Sequence, residues 1–214
     1  MLKDNKWRNP AAIVECEWLF NRLGDENIRI FDCTTYLHYT DDHPSKPYDV
    51  ESGFSDYKKN SIPGAAFIDI QNDLSDQDSI YSLTVPNFQR LGESVKQLGI
   101  GDPYHVILYA RNGMQWATRV WYLLHALGYE NVSILNGGFN EWSRLNFPIE
   151  RGGTTFSPAE FNLAIKEGKF VDKNSVFTAI NDNNTVIINS LTEDIYLGQS
   201  LRYGRPGRIP KSIN

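Results

Sequence analysis

"HVILYARNGMQWATRVWYLL", residues 105–124, passes from a short apolar run, His105 to Tyr109, through a polar loop into a segment with helical periodicity. Met114, Ala117, Val120, Trp121, Leu124 and Leu127 recur at the spacing that lines one face of a helix, and Gly128 stops the pattern. A buried strand running through a tight loop into a helix is the arrangement by which parallel α/β proteins hold a reacting group at the strand's C-terminal rim. The residue at that rim is Ala110, whose methyl group has no such chemistry.

The same pattern extends in both directions. Ile28–Cys33 (IRIFDC), Ala66–Ile68 and Val132–Leu135 (VSIL) are further short apolar runs of the kind that form buried parallel strands. Between them, Thr84-Val85-Pro86 opens a helix with proline in its first turn, Phe88, Leu91, Val95 and Leu98 mark its apolar face, and Gly99 ends it. Gly137-Gly138 fits a close strand-to-helix turn, while Trp116, Trp121, Tyr122 and Trp142 are packing residues that can each bury a large apolar area. Strands alternating with helices define an α/β fold with a parallel sheet.

Composition narrows the function classes. The 214 residues carry a net charge of −5 with both signs interspersed, so no basic face for nucleic acid is expected. The first 20 residues show neither an apolar signal core nor a small-residue cleavage site, and no run reaches membrane-spanning length, which points to a cytoplasmic protein without membrane attachment. Two cysteines, Cys16 and Cys33, are too few for a disulfide framework or a zinc cluster. His38, His43, His105 and His125 lack ligand spacing, so neither a metal nor a cofactor is expected.

At Asn146–Phe156 (NFPIERGGTTF) proline, glycine and threonine interrupt the periodicity. This suggests a first domain over 1–149, a linker over 150–156 and a second segment over 157–214. In that segment Asp172–Ile180 reads as a helix and Thr185–Asn189 (TVIIN) as a buried strand. The segment also repeats the first domain: "IRIFDC…KKNSIPGAAF" is echoed by "TVIINS…GRPGRIPKSIN". The second copy is expected to be truncated, with no counterpart of the 109–121 loop and helix.

Together, "FDCTTYL", "SIPGAAFIDI", "LGIGDPYHVILYARNG" and "ATRVWYLLHALGYENVSILNGGFNEW" resemble the N-terminal domain of tandem rhodanese-type sulfurtransferases, the thiosulfate and 3-mercaptopyruvate enzymes, over about residues 12–149. "YGRPGRIP" resembles the start of their C-terminal domain. The resemblance implies a central, mainly parallel five-stranded sheet flanked by helices, followed by an incomplete second copy. It also implies transfer of sulfane sulfur through a cysteine persulfide to a thiol or cyanide. That cysteine belongs to the family's C-terminal domain, and Ala110 occupies the non-catalytic N-terminal equivalent.

Other positions depart from the family pattern on its functional side. Ser61 and Arg208 stand where histidine usually precedes Ile-Pro-Gly, Asn189-Ser190-Leu191 replaces Asp-x-Arg, Ile195 replaces a donor-binding arginine, and Lys211 replaces the turn glycine. Arg202 or Arg205 matches a second substrate arginine. For donor binding the candidates are Arg111, Asn112, Gly113 and Arg202, the first three as a backbone nest for a small sulfur-containing anion; the competing reading is an ordinary strand-to-helix turn. Arg119 lies off the helix's apolar stripe and reads as an interdomain or surface ion-pairing residue. Cys33 is a fallback nucleophile, set against the plainer reading of a small buried residue, and Cys16 reads as structural. Without a cysteine loop the chain is expected to be inactive alone. The alternatives are a non-catalytic anion- or protein-binding regulatory module and a half-enzyme completed by another chain. The truncated segment is expected either to self-associate or to dock.

Overall fold

The computed structural model describes residues 9–40 and 46–214, so His43 and the first residues of the N-terminal stretch lie outside it. A five-stranded sheet dominates. Its strands are β1 (Ile13–Val14), β2 (Ile28–Asp32), β5 (Ala65–Phe67), β6 (His105–Tyr109) and β7 (Val132–Leu135), in the order β1-β7-β6-β2-β5, and each pairing is parallel. The three central strands are nearly continuous apolar runs because helices cover both of their faces. Val106, Ile107, Leu108 and Tyr109 are fully buried. The α/β architecture and the parallel sheet are therefore as the apolar runs indicated.

Helices α1 (Cys16–Phe20), α4 (Phe88–Gln97) and α5 (Gln115–Ala126) lie between successive strands in the chain, and α6 (Gly138–Arg144) follows β7. Helix α4 begins after Pro86 rather than around it: the Asn87 side chain accepts the Gln89 N–H at 2.8 Å, and this cap fixes the start. Gly99 at φ +82° and Gly128 at φ +92° end α4 and α5. A two-stranded sheet of β3 (Thr35–Tyr39) and β4 (Tyr48–Ser52), with α2 (Phe54–Lys59) and α3 (Ile70–Asp73), fills the connections around β5.

The chain divides into two compact units. One comprises the described residues up to Tyr36 together with Glu51–Lys166, and the other Leu37–Val50 with Glu167–Asn214. In the first, residues 150–166 form no helix or strand and run as a strap over the sheet-bearing core. Ser61 and Glu150 exchange backbone hydrogen bonds at 2.7 and 3.0 Å, and Gly153 N–H donates to the Tyr57 hydroxyl at 2.9 Å. The Arg29 guanidinium lies 3.5 Å over the Tyr104 ring and donates to the Ser157 carbonyl at 3.0 Å. Ala164 N–H reaches the Leu127 carbonyl at 2.9 Å.

In the second unit α7 (Lys173–Ala179) is capped by Asp172, which accepts from Ser175 N–H at 2.8 Å, and α8 is Glu193–Tyr196. Thr185–Asn189 is not the strand its composition suggests. It makes one isolated parallel bridge, Ile188 to Ile213, and no ladder. Among the described residues no helix is long and apolar enough to cross a membrane, and no three metal-ligating side chains cluster.

Candidate functional site

The loop between β6 and α5 stands at the C-terminal rim of the sheet. Tyr109 is the last residue of β6, and its carbonyl accepts Cys33 N–H at 2.8 Å, so the ends of β2 and β6 are held side by side. Ala110 follows, 4% exposed, and its carbonyl accepts Phe139 N–H at 3.1 Å. That carbonyl leaves no room for a side chain at Gly138, where a Cβ would lie 2.2 Å from the oxygen. The rim thus encloses a cavity of about 100 Å³ lined by Ala110, Gly113, Met114, Ala117, Gly137 and Gly138 among others, with no ionisable side chain in its wall.

Arg111 turns inward. Its guanidinium pairs with Asp32 Oδ2 at 3.2 Å, donates to Asn60 Oδ1 at 2.8 Å and to the Asn60 carbonyl, and lies 3.8 Å over the Phe139 ring. Asp32 is fully buried; burial raises its carboxyl above the usual range, against the lowering effect of the Thr34 hydrogen bonds and of Arg111. A buried charge of this kind needs a partner, and Arg111 supplies it. The Arg111 backbone N–H donates to Thr34 Oγ1 at 3.2 Å and Asn112 Nδ2 donates to the Thr35 carbonyl at 2.9 Å. Gly113, at φ +114°, makes the turn into α5 in a conformation that L side chains rarely adopt.

Both cysteines are buried as free thiols. Cys33 is fully buried, and burial and then the neighbouring Asp32 charge push its pKa well up. Cys16 opens α1, donates to the Asn136 carbonyl at 3.5 Å, and is pushed up to about 12 by burial and by the Glu141, Glu17 and Glu15 charges. The thiolate is the nucleophilic form, and burial disfavours it at both positions. Arg119 donates to the Leu83 carbonyl within the same unit. Arg202 belongs to the other unit, where it lies 3.9 Å over the Tyr39 ring.

The structure therefore gathers Ala110, Arg111, Asn112, Gly113 and Cys33 at one rim. Sequence reasoning did not single out Asp32, Asn60 or Phe139, which determine where Arg111 points. Asp32 could have been noticed as a lone acid at the end of an apolar strand.

A sheet of this order with a short loop at the rim of its central strands defines a class of parallel α/β domains. The model for the rhodanese-like domain matches residues 15–145, more than half of the chain. Mouse 3-mercaptopyruvate sulfurtransferase is 28% identical over 95% of this chain and 68% of its own length. Rat thiosulfate sulfurtransferase is 26% identical over 87% of this chain and 61% of its own. The crystal structure of a 3-mercaptopyruvate sulfotransferase from Escherichia coli superposes with a TM-score of 0.76 at 28% identity, covering 95% of this chain and 74% of that one. The chain belongs to the rhodanese-like domain family.

Proposed function

We propose that these 214 residues form the non-catalytic N-terminal module of a rhodanese-family sulfurtransferase together with the opening part of a second rhodanese-like domain, residues 157–214, and that this polypeptide alone does not transfer sulfane sulfur. Sulfur transfer by this family's route needs a thiolate at the loop that opens a helix, where it attacks the donor and carries the sulfur as a persulfide. The observation that carries the reading is the rim itself. Ala110, which the family resemblance matches to the nucleophile's position, lines a cavity without an ionisable wall, and both cysteines are buried with raised pKa values.

The anion-binding side of the chemistry supports the same conclusion. A donor such as thiosulfate or 3-mercaptopyruvate needs a cation free to meet it, and the Arg111 guanidinium is already held by Asp32 and Asn60. Asn112 is likewise engaged with the Thr35 carbonyl. Arg111 and Asn112 on this reading are positioning residues of the domain, and Gly113 serves the turn. The test is turnover by the purified chain of thiosulfate with cyanide, and of 3-mercaptopyruvate with a thiol. Rates at the level of the buffer control are expected; turnover that Cys33→Ser abolishes would make Cys33 the sulfur carrier and overturn the reading.

A further inference from the structure

A larger cavity in the first unit, of about 380 Å³, shares no wall residue with the one at Ala110 and has the size of a small-ligand pocket. Three aromatic rings line it, Phe54 and Tyr57 from α2 and Phe67 from the end of β5. Phe54 lies 5.9 Å from Tyr57 and 5.4 Å from Phe67, and Tyr57 lies 5.4 Å from Phe67, with the ring planes inclined by 33°, 65° and 36° in that order. The rings therefore meet at angles and do not form a flat stack. The Tyr57 hydroxyl is already committed: it donates to the Ala65 carbonyl and accepts Gly153 N–H, both at 2.9 Å. Only its ring is left for a ligand. Gly152 rests against that ring, where a Cβ would come within 2.7 Å of it, and Gly153, Thr154 and Thr155 of the strap complete the wall.

The same cavity holds two carboxylates, Asp69 and Asp73, at the two ends of α3. Asp69 accepts from the Asn72 N–H at 3.1 Å and from Asn72 Nδ2 at 3.0 Å, and Asp73 Oδ2 accepts the Asp69 N–H at 2.9 Å. Among the described residues Asp73 Oδ1 has no hydrogen-bond partner, and neither carboxylate meets a lysine or arginine. Burial and then the Asp69 charge hold the Asp73 carboxyl above its ordinary range, against the lowering effect of the Asp69 N–H. A cation placed here would relieve that penalty. Lys58, exposed and in no ion pair, is the one cationic side chain in the wall, so the two carboxylates leave a formal negative charge.

We propose that this cavity binds a small organic cation, an alkylated or quaternary ammonium group whose methyls meet the rings of Phe54, Tyr57 and Phe67 while its charge is met by Asp69 and Asp73. The wall selects that class over a metal ion. A hard divalent cation takes about six or more oxygen ligands, whereas the Asp69 oxygens and Asp73 Oδ2 are already engaged and no three metal-ligating side chains cluster among the described residues. An alkylated ammonium needs no such shell, because ring faces within about 6 Å attract it and its methyl groups bury against them. An apolar ligand of the same shape would gain nothing from the carboxylates. An anion would meet Lys58 at the cost of both of them.

The experiment is calorimetric titration of the 214-residue chain with choline, and with 3,3-dimethylbutan-1-ol, which has the same shape and no charge. Saturable binding of one choline per chain is expected, with the neutral analogue weaker by about tenfold or more. Asp73→Asn keeps the acceptor for the Asp69 N–H and removes the charge, so it should weaken choline by about tenfold. Phe54→Leu keeps an exposed apolar side chain without a ring and should weaken it about fivefold. Lys58→Ala, which removes the opposing charge, should tighten it; urea midpoints close to that of the parent chain show that the three variants fold. No saturable binding in the millimolar range overturns the proposal. Equal binding of the neutral analogue overturns it too, since the site would then be apolar only, as does affinity unchanged in both Asp73→Asn and Phe54→Leu. Displacement of choline by an equal concentration of calcium ions would assign the carboxylates to a metal and equally overturn it.

Discussion

Arg111 and Asp32 show how a residue chosen for one chemistry is held to another. An arginine beside a nucleophile's position suggests anion binding, yet a carboxylate with no exposure at the end of β2 draws the guanidinium inward. Removing one partner of a buried pair costs far more than the pair contributes, so Arg111→Ala should lower unfolding stability by about 3–5 kcal/mol in urea titrations. Asp32→Asn in the same background should restore part of that loss. His105 gives a prediction of opposite character. Burial lowers its pKa below 6.5, and it lies 2.8 Å from Ser133 Oγ. As pH falls below 6.5 the unfolded chain takes up a proton that folded His105 refuses, so stability declines on acidification. His105→Gln should flatten the pH dependence of the urea midpoint just below pH 6.5; an unchanged slope would show that His105 is not its source.

The elements fold around two turn residues with left-handed backbones. Gly138, at φ +57°, lets the Ala110 carbonyl approach α6, and Gly138→Ala should cost at least about 2 kcal/mol, because the strained backbone is joined by a clash with a main-chain oxygen. Lys211 occupies the equivalent of Gly64 at φ +61°, and Lys211→Gly should slow exchange of the Ile213 amide, corresponding to about 1 kcal/mol of local stability. Strands β2, β5, β6 and β7 and helices α4 and α5 were legible in the sequence to within a few residues, because each is an apolar run or stripe ended by glycine or a polar loop. The two-residue β1 and the β3–β4 pair were not, since β1 is too short to show a pattern and TYLHY and YDVES bury only Thr35 between them. Thr185–Asn189 was legible as a strand that the structure does not form, because composition records what a segment can pair with and not whether the neighbour is there. At the site, Ala110 was legible by position alone, whereas the orientation of Arg111 depends on Asn60 and Phe139, which come from elements far away in sequence.

At the scale of the whole molecule the two units differ in how much they bury. The first encloses the sheet; in residues 167–214 only Ile195 and Ser212 are buried. Local stability follows buried contact, so amides of β2, β6 and β7 should exchange only on global unfolding, and those of 185–214 many times faster. Equal protection of both units in a monomeric protein would contradict this difference in burial. The central claim is that this polypeptide holds no sulfur-carrying thiol, and denaturing intact-mass spectrometry after exposure to thiosulfate tests it most directly. The account predicts an unchanged mass, with Cys16 and Cys33 both recovered as free thiols; the addition of a single sulfur atom to either cysteine would contradict it.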